Sequence, residues 1–252
     1  MAGHSKWANI KHRKAAVDKK RGKVWSKVSR AILAAARSGG GDPTTNLTLR
    51  YAVEEAKAAN MPKDTIQRAI DKGSGTTGGA DFETITYEGY GPSGVAIFVE
   101  ALTDNRARTA GDVRTVFNKK GGRMGTPGSV GFMFQSKGQI FIDPSVTDED
   151  AVMNAALEAG AEDVQEPEGD GGAWTILTDP VDFLNVKEAF VSAGIEIADA
   201  ELTKIPDNSV AITGDDVRKL MNIIDALESN DDVQKVHHNA EISDEDLEAL
   251  ED

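Results

Sequence analysis

The 252-residue chain contains no cysteine. That excludes disulfide cross-links, zinc held by thiolates and thiol catalysis. Histidine is scarce as well: there are four, His4, His12, His237 and His238, and no HExxH or similar spacing joins them. His237 and His238 are adjacent, so on a strand they point to opposite faces and read as structural or surface residues. No run approaches the ~18 apolar residues that a membrane-crossing helix needs. The basic N-terminus is not followed by the apolar segment of ~7–15 residues that marks a secretion signal. No membrane partner is expected, and the chain is expected in the cytoplasm.

Positive charge is in short supply too. Lys and Arg number 28 against 42 Asp and Glu, for a formal net charge of −14. Its net excess sits at one end: residues 1–72 carry +10, residues 73–137 carry +1 and residues 138–252 carry −25. Such segregation sets a basic binding surface beside an acidic body. The body repels phosphate at long range, so contact with a polyanion is focused on the basic part and sensitive to salt.

The first 30 residues alone carry +9. Projected at ~100° per residue, Lys23, Lys27, Arg30 and Arg37 form one ridge, expected to face outward. Val24, Val28, Ala31, Ile32 and Ala35 gather opposite, with Trp25 at the edge. Asp18 fits an N-cap. Lys19, Lys20 and Arg21 then crowd the positive end of the helix dipole, a conflict that a docked phosphate relieves. Upstream, Trp7 and His12 interleave with Lys6, Lys11, Arg13 and Lys14. Aromatics among cations suit RNA bases and backbone, so this segment reads as a nucleic-acid-binding arm.

Ser38 to Pro43 breaks the first helix. A second helix is expected from about Asn46, striped by Leu49, Ala52, Val53, Ala56 and Ala59. A third starts at Pro62, buries Ile66, Ala69 and Ile70, and ends with Gly73 at C′. Gly73 to Ala80 has the composition of a flexible linker. From Phe82 the period changes to two strands, a helix over RARTAGDVRTVFNKKGG and a possible strand over GSVGFMF. Residues 138–204 read β-α-β-β-α-β, the order of a ferredoxin-like fold, with Thr147 and Asp150 as a capping box. Residues 208–238 add another β-α-β, expected to return and complete the earlier sheet.

The fold class is therefore α+β in three domains. Residues 1–75 are a basic three-helix domain whose first 18 residues form an extended arm. Residues 81–137 plus 205–240 make a discontinuous α/β middle domain. Residues 138–204 make an acidic, inserted ferredoxin-like domain, and residues 241–252 an acidic tail expected to fray.

Catalytic patterns do not assemble. Gly89-Tyr-Gly91-Pro-Ser-Gly94 matches G-x-G-x-x-G, but a strand follows where the dinucleotide motif needs a helix, and Pro92 removes an amide. It reads as a hairpin turn. No catalytic residue, metal or cofactor is expected. One further cluster stands out: Arg106, Arg108, Arg114, Lys119, Lys120 and Arg123. Arg108, Asp112, Thr115 and Lys119 share a helix face, so part of it is i,i+4 pairing. Lys119-Lys120-Gly-Gly-Arg123 is a basic Gly-rich loop suited to a backbone phosphate. The cluster reads either as a second nucleic-acid contact or as plain surface charge.

MAGHSKWANIKHRKAAVDKKRGK at residues 1–23, AVEEAKAANMPKDTIQRAIDKGSG at 52–75 and YEGYGPSGVAIFVEALTDNRARTAGDVRTVFNKKGG at 87–122 together resemble the YebC family, also called PmpR-like, with GSVGFMF extending the match. That family includes the mitochondrial translational activator of cytochrome c oxidase. The resemblance implies the same three domains, no catalysis, and nucleic-acid contact through Lys6 to Arg30. Family members are usually described as DNA-binding transcriptional regulators, and more recently as factors that help ribosomes through consecutive prolines. The chain departs from many relatives at Met124, where they have Leu, and at Asn46-Leu-Thr-Leu-Arg50, where they have Asn-Pro-Arg-Leu-Arg.

The function expected is a non-enzymatic nucleic-acid-binding regulator of gene expression. Its partner is ribosomal RNA, with the large ribosomal subunit as one candidate, or else promoter DNA. No helix-turn-helix spacing stands out in residues 19–72, and no side-chain set is aimed at a major groove, which favours RNA. A ligand-sensing regulator acting through the ferredoxin-like domain, and an enzyme built around Asp104, Arg106 and a histidine, are the remaining alternatives.

Overall fold

The computed structural model describes residues 21–75, 81–167 and 172–250. Helices and sheets are mixed, with the helical part first. The described residues form two compact units. One takes the chain up to Val130 together with Lys219–Val236; the other takes Gly131–Arg218 and the residues from His237 onward. No helix among the described residues is long and apolar enough to cross a membrane.

The first unit opens with three helices, α1 (Arg21–Gly39), α2 (Leu47–Ala58) and α3 (Lys63–Ser74). Their apolar stripes meet in a core of Val28, Ile32, Ala35, Leu49, Ala56, Ile66 and Ile70, against which Val24, Trp25 and Ala31 are partly buried. Each fully buried Val, Ile or Leu among them contributes about 1.5–3 kcal/mol. Asn46 caps α2 by accepting from the Leu49 amide at 3.1 Å. Its side-chain NH2 donates to the Ala35 and Gly40 carbonyls at 2.9 and 2.8 Å, tying the turn to the end of α1. Gly73 does not cap α3. The helix runs to Ser74, and Gly73 is buried in its last turn. A Cβ there would lie 2.5 Å from the Leu33 carbonyl oxygen and 2.8 Å from Ala36 Cβ, so glycine is needed for the close approach of α1 and α3.

β1 (Glu83–Tyr90) and β2 (Ala96–Thr103) form an antiparallel hairpin in register Glu83↔Thr103 to Tyr90↔Ala96. Its turn contains a short 3₁₀ segment, Pro92–Gly94, as the hairpin reading of the glycine motif requires. Next come α4 (Arg106–Lys119) and β3 (Arg123–Met124). The sheet order is β3-β1-β2-β9, where β9 (Val233–His238) follows α7 (Asp215–Glu228). Val95, Ile97, Val99, Phe117, Ile223 and Leu227 are buried in this unit. Phe117 sits so close over Gly89 that a Cβ there would be 2.6 Å from its ring. Buried Glu88 holds the following loop by accepting from the Gly128 and Val130 amides at 2.7 and 2.6 Å.

In the second unit, β4 (Phe134–Ile142), α5 (Glu149–Ala159), β5 (Asp163–Gln165), β6 (Trp174–Thr178), α6 (Phe183–Ser192) and β7 (Asp199–Pro206) alternate in chain order. The sheet order is β5-β6-β4-β7 with every neighbour antiparallel, the arrangement of a split βαβ, ferredoxin-like fold. Four details depart from expectation. GSVGFMF is not a strand: Gly131–Met133 is a 3₁₀ turn and β4 begins at Phe134. Asp148, not Thr147, caps α5 by accepting from the Ala151 amide. β8 (Val210–Ala211) does not join the larger sheet but pairs in parallel with β10 (Ala240–Glu241). The acidic tail is not frayed throughout, because Ser243 caps α8 (Asp244–Glu248) and Ile242 and Leu247 are buried.

Candidate nucleic-acid interface

Lys6, Trp7, Lys11, His12, Arg13, Lys14, Lys19 and Lys20, the arm of the expected interface, lie outside the described residues, as do Asp18 and the side chain of Arg21. From Lys23 onward the helix is as the periodicity requires, but its basic ridge does not simply face solvent. Lys23 Nζ donates to the Ser229 carbonyl at 3.0 Å and Lys27 Nζ to the Glu228 carbonyl at 2.7 Å. These carbonyls stand at the negative end of α7, where cations are favoured. Burial pulls the Lys27 amine below the ordinary lysine pKa, against the opposing pull of the Glu228 charge. Arg30 donates through Nη1 to the Asp231 carbonyl at 2.8 Å and to Asp232 Oδ1 at 2.6 Å. Arg37 pairs with Asp81 at 3.1 Å. The outward ridge is thus corrected: Lys23 and Lys27 turn to backbone carbonyls at the end of α7, Arg30 to Asp232 just after it and Arg37 to Asp81.

Asp232 is the point where the two basic clusters meet. Its carboxylate, 6% exposed, accepts from Arg30 on α1 and from Arg108 on α4 at 2.7 Å. It also accepts from the Thr109 and Thr103 hydroxyls at 2.7 and 3.2 Å. Burial pushes its pKa up, but the Arg108 and Thr109 hydrogen bonds and the Arg108 charge outweigh that and leave it below the usual carboxylate value. Arg108 is raised in turn by its bonds to Asp232 and Asp104. Its partner at i−4 is therefore Asp104, at 2.8 Å, where the shared helix face had suggested Asp112. Asp112 instead accepts from Asn230 at 3.4 Å. Nothing local in the sequence singles out Asp232, since its partners lie more than a hundred residues away.

The rest of the second cluster is presented at the surface. Asn105 caps α4 through the Arg108 amide, and Arg106, Arg114, Lys119 and Lys120 are exposed. Gly121, at φ +83°, turns the chain after α4. That brings Arg123 into β3, with its guanidinium 5.4 Å from the Tyr90 ring centroid, a cation–π contact. The Tyr90 hydroxyl donates to the Ser129 carbonyl at 3.0 Å, which fixes the ring. His237 is buried and His238 half-buried at the end of β9, where the His238 Nδ1 accepts from the Ala240 amide at 3.2 Å. Among the described residues no three His, Asp or Glu are grouped to hold a metal.

Fold and surface together define a mixed α/β protein that carries a helical, basic N-terminal module ahead of an acidic body. Its residues 5–76 match the "TACO1/YebC protein N-terminal domain" and residues 82–240 the "TACO1/YebC second and third domain"; the chain belongs to the TACO1/YebC family. It is 54% identical over 242 residues to a protein of Acidovorax sp. (strain JS42), covering 96% of this chain and all of that one. It is 54% identical over 252 residues to one of Proteus mirabilis, covering 100% and 99%. Both carry the name "Probable transcriptional regulatory protein". The crystal structure of a conserved hypothetical protein, Aq1575 from Aquifex aeolicus, is similar with a TM-score of 0.77 at 44% identity, covering 90% of this chain and 93% of that one.

Proposed function

We propose that this protein is a non-enzymatic, nucleic-acid-binding regulator of gene expression that works on the ribosome, binding ribosomal RNA and relieving stalled translation. The observation that carries the reading is the segregation of charge, +10 over residues 1–72 against −25 over residues 138–252. A polyanion is attracted to the first part and repelled by the rest, so binding is oriented. Trp7 and His12 among the cations of residues 6–14 suit unstacked RNA bases better than a duplex major groove. Arg106, Lys119, Lys120 and Arg123 supply a second basic surface for backbone phosphate. Arg30 and Arg108 act in this reading through Asp232, holding the helical module against the sheet, while Lys23 and Lys27 anchor α1 on the end of α7.

The names carried by the relatives favour a second reading, promoter DNA as the target. Equilibrium binding of the full chain to a structured ribosomal RNA fragment and to duplex DNA of equal length, titrated with KCl, separates the two. The proposal expects tighter binding to RNA with a steep loss of affinity as salt rises. Tighter binding to the duplex supports the second reading, and failure to bind either overturns both.

A further inference from the structure

Between α1 and α3 a groove of about 340 Å³ opens beside the first residues of the hairpin. Its floor is apolar, with Leu33, Ala69 and Phe82, and its charged lining among the described residues is Arg30, Arg68 and Lys72. Arg30 is already paired with Asp232, so the cations this groove offers an incoming anion are Arg68 and Lys72, and no carboxylate lines it among the described residues. Arg68 and Lys72 are exposed and one helical turn apart, so both present charge along the same edge of α3. Among the described residues Lys72 meets no carboxylate, and the Arg68 Nε donates to the Asp64 carbonyl of its own helix, at 3.0 Å. The Phe82 ring is held from one side by the Arg30 guanidinium, 5.6 Å from its centroid, and Arg30 is itself fixed by Asp232.

We infer that this groove is a nucleotide-binding subsite for single-stranded nucleic acid: one unstacked base lies against Phe82, Leu33 and Ala69, and the adjoining phosphates lie along Arg68 and Lys72. The inference rests on the nucleic-acid reading above and adds a place and a strandedness to it. A volume of this order accommodates a base with its sugar. An apolar ring surface flanked by cations is the combination by which proteins hold single strands without reading their sequence. A duplex keeps its bases stacked and cannot offer one to the floor. Neither the apolar stripe nor the charge count exposes this site in the sequence, because Phe82 and Lys72 flank the Gly-rich linker and reach one cavity only in the folded chain.

The test uses fluorescently labelled oligoribonucleotide and oligodeoxyribonucleotide 12-mers, an abasic strand of the same charge, and a duplex. Each is titrated with the full chain, Phe82→Leu and the Arg68→Gln/Lys72→Gln double variant, with thermal melts to confirm folding. The single strands are expected to bind wild type better than the abasic strand and the duplex. Phe82→Leu should weaken them roughly 10-fold and leave the abasic strand unaffected. The double variant should flatten the salt slope by about 1.4, ~0.7 per phosphate contact. The ratio of RNA to DNA affinity says which strand the subsite prefers. Should Phe82→Leu unfold the chain, a 4-thiouridine 12-mer crosslinked to wild type must map to Phe82 or to peptides of α1 and α3. Wild type that binds RNA while both variants match it, or crosslinks confined to other segments, overturns the subsite and leaves the nucleic-acid reading standing. Wild type that binds no strand overturns both. Polyglutamate competing as well as the oligonucleotide overturns the assignment in favour of an acidic peptide site.

Discussion

Replacing Asp232 by Ala removes the carboxylate on which α1, α4 and β2 converge. Deleting one partner of a buried ion pair costs about 3–5 kcal/mol, because the remaining charge is left without compensation. Here the side chains of the two arginines are 21% and 48% exposed and recover part of their hydration. The Thr103 and Thr109 hydroxyls retain each other at 2.8 Å. The lower end of the range, about 3 kcal/mol, is therefore expected, with Asp232→Asn milder at about 1.5 kcal/mol because shape and some hydrogen bonding survive. Hydrogen exchange followed by mass spectrometry measures this locally: amides of α1 and β2 should lose about 100-fold of protection while those of β4 and β6 keep theirs. The pH dependence has a definite sign. The folded-state pKa of Asp232 is depressed, so its contribution is complete above the unfolded value near 3.8 and disappears as pH falls through the lower folded value. The gap between wild type and Asp232→Asn should thus be constant at neutral pH and narrow below about pH 4. Unchanged α1 protection in Asp232→Ala, or a gap that widens in acid, would refute the assignment of Asp232 as the joint.

Gly73→Ala places a methyl group against the Leu33 carbonyl and Ala36 and should destabilise the first unit by about 1–3 kcal/mol in urea denaturation, the opposite of what a solvent-facing helical glycine would do. Asn46→Ala removes one accepted and two donated bonds and should cost about 2 kcal/mol by the same assay. Lys119→Gln/Lys120→Gln should leave the melting temperature within about 1 °C and reduce the salt slope of RNA binding by about 1.4; an unaltered slope makes that end of α4 ordinary surface.

Most of the fold is legible in local pattern. The 3.6-residue period of Val28, Ile32 and Ala35 fixes the buried face of α1, and Asn46 marks the start of α2 by its side-chain chemistry alone. The β-α-β-β-α-β order of residues 138–204 leads to the antiparallel sheet found there. What local pattern does not carry is the destination of the opposite face. Lys23, Lys27 and Arg30 share a ridge in any helical projection, but their partners Glu228, Ser229 and Asp232 are some two hundred residues on. Gly73 has the position of a cap and the role of a packing contact, because the neighbour that demands it is Leu33 on another helix. The short strand β8 pairs with β10 for a similar reason: two residues have no period, and the ladder partner decides.

The polyanion that the basic module meets in the cell decides between the ribosome and the promoter. In-cell crosslinking of the tagged protein, with bound RNA and bound DNA recovered from one sample and sequenced, addresses this most directly. Action on the ribosome predicts reads concentrated in ribosomal RNA and lost on deletion of residues 2–18. Reads concentrated at promoters, with ribosomal RNA at background, would contradict it.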